Sequence, residues 1–181
     1  MDELKIITAQ TEADIWQQIN HDFSSGIPHN YHVQIQYNDN DIELNIVSSP
    51  GGNEEGGYEY SNLKALVPAG NDFEFLIQPE DFLNRIGKLF GGQDVILGYP
   101  EFDKNVLVKT NNPERLKDLL ADVATRELFV GLSGYSFGIA TANESEGKTL
   151  ELLIQRAVSG EELKKSFQAF TKVLTAICTY P

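Results

Sequence analysis

Cysteine occurs once in this chain, at position 178, so no disulfide can close within it and a zinc site built on cysteine thiolates is excluded. A reducing compartment fits that usage. Basic residues are scarce too: 14 Lys and Arg stand against 27 Asp and Glu, a net charge of −13, so the electrostatic footprint of a nucleic-acid binder is missing. Long apolar runs are also lacking. The start, MDELKIITAQTEADIW, has acids where a secretory leader needs bases and has no continuous apolar core behind them. The uncharged stretch Leu128 to Asn143 is too short and too rich in Gly, Ser and Thr to span a bilayer. These absences predict a soluble, cytoplasmic protein with neither nucleic acid nor membrane among its partners.

What is present is globular. A hydrophobic fraction of 41% over 181 residues suffices for one domain spanning 1–181, with a possible subdivision near 68–71, at Pro68-Ala69-Gly70-Asn71. The acidity is uneven: residues 1–91 hold 15 acids and 4 bases, whereas residues 92–181 hold 12 and 10. An acidic front half could attract a cation or a basic partner, although solubility alone accounts for it.

Thr11 followed by Ile15, Trp16, Ile19 and Phe23 makes the apolar face of a helix over 11–23. Tyr31, Val33, Ile35 and Tyr37, then Ile42, Leu44 and Ile46, alternate with polar residues and predict two antiparallel strands joined at 38–41. Residues 50–57 read as a glycine-rich loop, 58–67 and 73–77 as further strands, and 80–90 as a helix ended by Gly91-Gly92. Val95-Ile96-Leu97 and Val106-Leu107-Val108 read as strands around a turn at 98–101. Asn112-Pro113-Glu114 then opens a helix over 112–130, with Asn as cap, Pro at the first position and an acid in the first turn. Residues 135–141 and 149–158 suit a hairpin with its loop at 143–147, though Leu150, Leu153, Ile154 and Ala157 also fit a helical face. Ser159-Gly160-Glu161-Glu162 is a capping box opening a last helix over 160–178 with a Leu163, Phe167, Phe170, Leu174, Ile177 seam. That seam predicts packing on the protein's own sheet.

Several motifs tempt. Gly134-Tyr135-Ser136-Phe137-Gly138 matches the Gly-x-Ser-x-Gly elbow of α/β-hydrolases, but that triad needs a histidine after the serine, and His21, His29 and His32 all precede Ser136. Ala142 to Thr149 matches a relaxed phosphate loop, with Glu144 and Glu146 placing negative charge in the cradle. The three histidines form a weak cluster, since His29 and His32 would face opposite sides of a strand. Asp39, Asp41 and Glu43 resemble a calcium loop, yet Leu44 and Pro50 stand where its glycine and closing glutamate belong. In the turn at 99–104, Phe102 reads as a core anchor and Asp103 as an acceptor for nearby N–H groups. The functional alternative is that Tyr99, Asp103 and Lys104 contact a ligand or partner.

The stretch from Asp94 to Glu114, with Gly98, Phe102-Asp103-Lys104 and Asn112-Pro113-Glu114 at fixed spacing, resembles a segment of an uncharacterised bacterial domain family of unknown function, over about residues 73–177. The resemblance implies a fold and carries no catalytic residue with it. The order of helices and strands is also similar in outline to bacterial type III secretion chaperones, which form dimers and hold extended peptides. The expected fold is α+β, with antiparallel strands in one or two sheets and about four helices against them. The expected function is a non-enzymatic binding, interaction or scaffold domain with no cofactor and no metal. Its expected partner is another protein or a second copy of itself; a chaperone-like dimer and a serine hydrolase using Ser136 are the alternatives.

Overall fold

The structure, a computed structural model, describes residues 4–49, 58–79, 94–143 and 147–179. The chain opens with strand β1 (Lys5–Thr8) and helix α1 (Glu12–Asp22). Thr11 caps α1, its hydroxyl oxygen accepting the Asp14 N–H at 3.2 Å, and Ile15, Trp16 and Ile19 form the buried stripe. Strands β2 (Asn30–Tyr37) and β3 (Asn40–Ser49) form a hairpin. Its two-residue turn puts Asn38 and Asp39 at φ +50° and +59°, left-handed values that these side chains tolerate. Strands β4 (Tyr58–Leu66) and β5 (Phe75–Pro79) follow, then the one-turn helix α2 (Pro100–Asp103) and strand β6 (Val106–Thr110). Helices α3 (Pro113–Leu119) and α4 (Val123–Gly131), strands β7 (Tyr135–Asn143) and β8 (Gly147–Ile154), and helix α5 (Gly160–Thr179) complete the chain.

All eight strands join one sheet in the order β1-β2-β3-β4-β8-β7-β5-β6. The fold is α+β, but the sheet is larger than expected and is mixed, because β1 runs parallel to β2. Four residues with no Gly or Pro punctuation give a strand like β1 little sequence signal. The two halves of the sheet meet where β4 pairs β8, with Leu63 opposite Leu152 and Ala65 opposite Leu150.

Three expectations near the Phe-Asp-Lys turn need correction. Val95 to Leu97 is not a ladder strand; the Val95 N–H reaches the Val108 carbonyl at 2.9 Å, and the chain then turns into α2. The expected turn is therefore partly helical. The helix expected over 112–130 is two helices, because Asp122 starts a new one by accepting the Thr125 N–H at 2.8 Å. The hairpin reading of 135–158 holds, with β8 ending at Ile154, so the helical alternative for 149–158 is not realised. The helix read over 80–90, the loop at 50–57 and residues 144–146 of the hairpin loop lie outside the described residues.

The described helices pack into one apolar cluster on the sheet. Trp16 of α1 meets Phe167 of α5 edge-on at 5.8 Å. Phe129 of α4 stacks on Tyr135 at 5.5 Å and on Phe137 at 4.9 Å, tying α4 to β7. Phe102, Leu116 and Leu120 join the same apolar cluster, as does the expected α5 seam from Leu163 to Ile177. The other face is polar across β2 and β3, with His32, Gln34 and Gln36 opposite Asn45, Glu43 and Asp41. Alternating hydrophobicity produced this two-sided arrangement, since only one side chain in two points at the core.

Candidate functional site

The turn singled out from sequence is a tightly bonded unit. Asp103 accepts the N–H groups of Leu97 at 2.9 Å, Gly98 at 2.8 Å and Tyr99 at 2.8 Å, so both carboxylate oxygens are engaged. Gly98 sits at φ +87°, a left-handed value that lets three consecutive N–H groups converge on one carboxylate. Phe102 is buried beneath them. Tyr99 donates its hydroxyl to the Lys117 carbonyl at 3.2 Å, and the Arg126 guanidinium lies 3.9 Å from its ring centre. Arg126 also donates to the Ala121 carbonyl at 2.7 Å, which joins this turn to the α3–α4 connection. Of the three residues proposed to contact a ligand, only Lys104 is an exposed charge with no side-chain bond among the described residues.

The other motifs are separated in space or put to structural use. Ser136 is the second residue of β7, opposite Leu153, and is 2% exposed, so it lies in a strand and not on a strand-to-helix elbow. Its neighbour Gly138 has a different reason to be glycine: a Cβ there would sit 2.3 Å from the Phe75 carbonyl oxygen. Lys148 of the phosphate-loop pattern bonds Glu74 at 2.8 Å. His21 lies in the last turn of α1, His29 faces the Ser48 hydroxyl at 3.1 Å and His32 pairs with Glu43 at 2.9 Å. Among the described residues, no three His, Cys, Asp or Glu side chains gather as a metal site. The Cys178 thiol is half-buried beside Asn40, and burial pushes its pKa up, away from the reactive thiolate.

A groove of about 820 Å3 between α4 and α5 is the feature the sequence did not disclose. The floor is apolar, with Leu128 half-buried and Leu132 and Ala169 buried, and Ala124 and Gly131 keep the α4 wall low. The rim is charged. Lys172 of α5 bonds Asp122 at the start of α4 at 2.9 Å, and Lys165 bonds Glu161 at 2.8 Å. Glu162 is turned away to Arg156 in a two-pronged pair, where Arg156 also donates to the Ser133 hydroxyl at 3.1 Å and the Ala157 carbonyl at 2.7 Å. The capping box is therefore half formed. Ser159 accepts the Glu162 N–H at 3.1 Å, but the glutamate clamps the β8–α5 connection in place of the cap. Glu127 alone among the rim carboxylates has no ion-pair partner among the described residues. The sequence signal was a second stripe on α5, at Glu162, Lys165, Ala169 and Lys172, hidden beside the stronger apolar seam. A concavity of similar volume beside α1 is lined by Lys5, Asp14, Gln17, Gln18, Asn20 and His21, and offers no apolar floor.

Asp122 anchors one end of the groove, and the Thr125 hydroxyl, Lys172 and the Thr125 N–H hold its pKa down to about 2. A carboxylate with a depressed folded pKa stabilises above its unfolded value and loses that contribution as pH falls toward the folded one. Asp122→Asn should thus lower the melting temperature at pH 7 by a constant amount. The gap from the parent should shrink between about pH 4 and pH 2. Parallel thermal melts across that range measure it, and a gap unchanged at pH 2.5 would contradict the bonding described.

The fold and groove define a class: an α+β protein on one mixed sheet, with an amphipathic cleft between two of its helices. Comparison with known proteins finds no matching family model, no matching curated protein and no matching solved structure. No helix among the described residues is long and apolar enough to cross a membrane.

Proposed function

We propose that this protein is a cytoplasmic, non-enzymatic binding domain that holds a segment of another protein in the α4–α5 groove. We also propose that it belongs to the uncharacterised bacterial family whose Gly-x-x-x-Phe-Asp-Lys turn it resembles. The make-up of the groove carries the functional reading: an apolar floor edged by charges of which Asp122 with Lys172 and Glu161 with Lys165 are paired. Protein interfaces share that plan, with a desolvated apolar centre inside a polar rim. A buried Ser136 in a strand gives the hydrolase alternative no support. The net charge of −13 favours a protein partner over a polyanion.

Selection from a displayed library of random peptides tests the proposal. Binders with dissociation constants of roughly 1–100 μM are expected, a range suited to a short segment. Ala124→Tyr, which fills the groove from an exposed position, should weaken them at least about tenfold, about 1.4 kcal/mol, without moving the melting temperature. No binders, or binders indifferent to Ala124→Tyr, would remove the groove as the binding surface.

A further inference from the structure

Resting on that reading, we propose that the occupant of the groove is a cationic amphipathic helix, about three turns long, supplied by a partner protein. Three observations select it. The first is the nature of the walls. Both are helices rather than strand edges, and away from their ends the backbone N–H and C=O groups are used internally, so the groove offers an extended peptide no ladder to pair with. A segment lying there must satisfy its own backbone, and a helix does so.

Length is the second. The α5 side of the groove runs from Glu162 to Lys172, which at a helical rise spans about 15 Å, or some ten residues of a helix laid alongside. Of the floor residues Leu128 is partly exposed, with the buried Leu132 and Ala169 beside it, and it suits an apolar anchor on the facing helix.

The third is charge. Asp122 is matched by Lys172, Glu161 by Lys165 and Glu162 by Arg156, which leaves Glu127 as the uncompensated rim charge. Beyond the rim, the whole chain carries −13. A cationic helix gains a direct pair at Glu127 and is steered by the wider field. A second copy of this chain is disfavoured for the same reason, because it too carries −13.

A labelled fourteen-residue probe helix provides the test, with leucines at i, i+4, i+7 and i+11 and lysines on the remaining faces. It is compared with the same peptide carrying glutamates for lysines, and with one carrying a central proline. Fluorescence anisotropy should show the cationic probe binding at micromolar concentration, with affinity falling several-fold from 50 to 300 mM salt. Glu127→Lys, at an exposed position, should weaken it at least about tenfold, and both altered probes should bind at least about tenfold more weakly. Equal binding by the acidic or proline-broken probe, or indifference to Glu127→Lys, overturns the assignment. The outcomes separate the two proposals. If selected peptides sense Ala124→Tyr but are extended or acidic, the groove remains a binding site and the cationic helix is wrong. If nothing senses Ala124→Tyr, both fall.

Discussion

Gly138→Ala should destabilise the protein by about 3 kcal/mol or more, which for a chain of this size lowers the melting temperature by roughly 6–12 °C. The added Cβ would lie 2.3 Å from the Phe75 carbonyl oxygen and 3.1 Å from the Leu76 Cα, both backbone atoms that no rotamer change can move aside. Strands β5 and β7 pair through Leu76 with Gly138 and Ile77 with Phe137, so the added Cβ falls directly in the ladder. Relief must come from parting the strands, which also disturbs the aromatic contact of Phe75 with Phe137 at 5.4 Å. Gly160→Ala is the matched control: nothing lies within 4 Å of its added Cβ, and the change should stay within about 1 kcal/mol of the parent. Urea unfolding of both variants decides the matter. A Gly138→Ala loss below about 1 kcal/mol would mean that the two strands do not approach as described.

Asp103→Ala should cost about 3 kcal/mol, because it strips acceptors from three N–H groups at once and each unpaired buried donor costs about 1–3 kcal/mol. Water can serve the exposed Gly98 N–H, so the loss falls mainly on Leu97 and Tyr99, whose groups are partly buried. Unfastening them frees Phe102 and the Tyr99–Arg126 contact, which should show as faster amide exchange from Leu97 to Asn105. Lys104→Ala, by contrast, should change stability by no more than about 0.5 kcal/mol. If Asp103→Ala were as mild as Lys104→Ala, Asp103 would be free for a ligand and its structural role would be refuted.

Sequence pattern reached some features and missed others for identifiable reasons. Alternation in Tyr31–Tyr37 and Ile42–Ile46 revealed both strands and their buried face, because each strand exposes one side to water. Local chemistry revealed the caps at Asn112 and Ser159, since a cap is decided within three residues. The same locality hid the break at Asp122, where apolar residues carry on across two separately capped helices. Glu162 shows the limit of motif reading: the capping box was legible, but the competing Arg156 guanidinium was not, being placed by the fold. The Gly-Tyr-Ser-Phe-Gly match is discounted for want of a following histidine, not from its glycines, because a glycine kept for a neighbouring backbone is indistinguishable in sequence from one kept for a catalytic turn. The groove was least legible of all, since a cleft between two helices exists only after both have docked on the sheet.

The pairing of β4 with β8 has a kinetic consequence. Lys64 and Glu151 stand opposite each other in that ladder, and Asn62 bonds Glu151 at 2.7 Å across 89 residues of chain. Strands β2, β3 and β4 are sequence neighbours and can assemble as soon as they leave the ribosome, but the inner edge of β4 must wait for β8 to be made. During synthesis the growing chain therefore presents an unsatisfied strand edge for the time taken to add those residues. That interval is when mispairing with another nascent chain is easiest, and the acidity concentrated in the front half gives such chains a mutual repulsion at that stage.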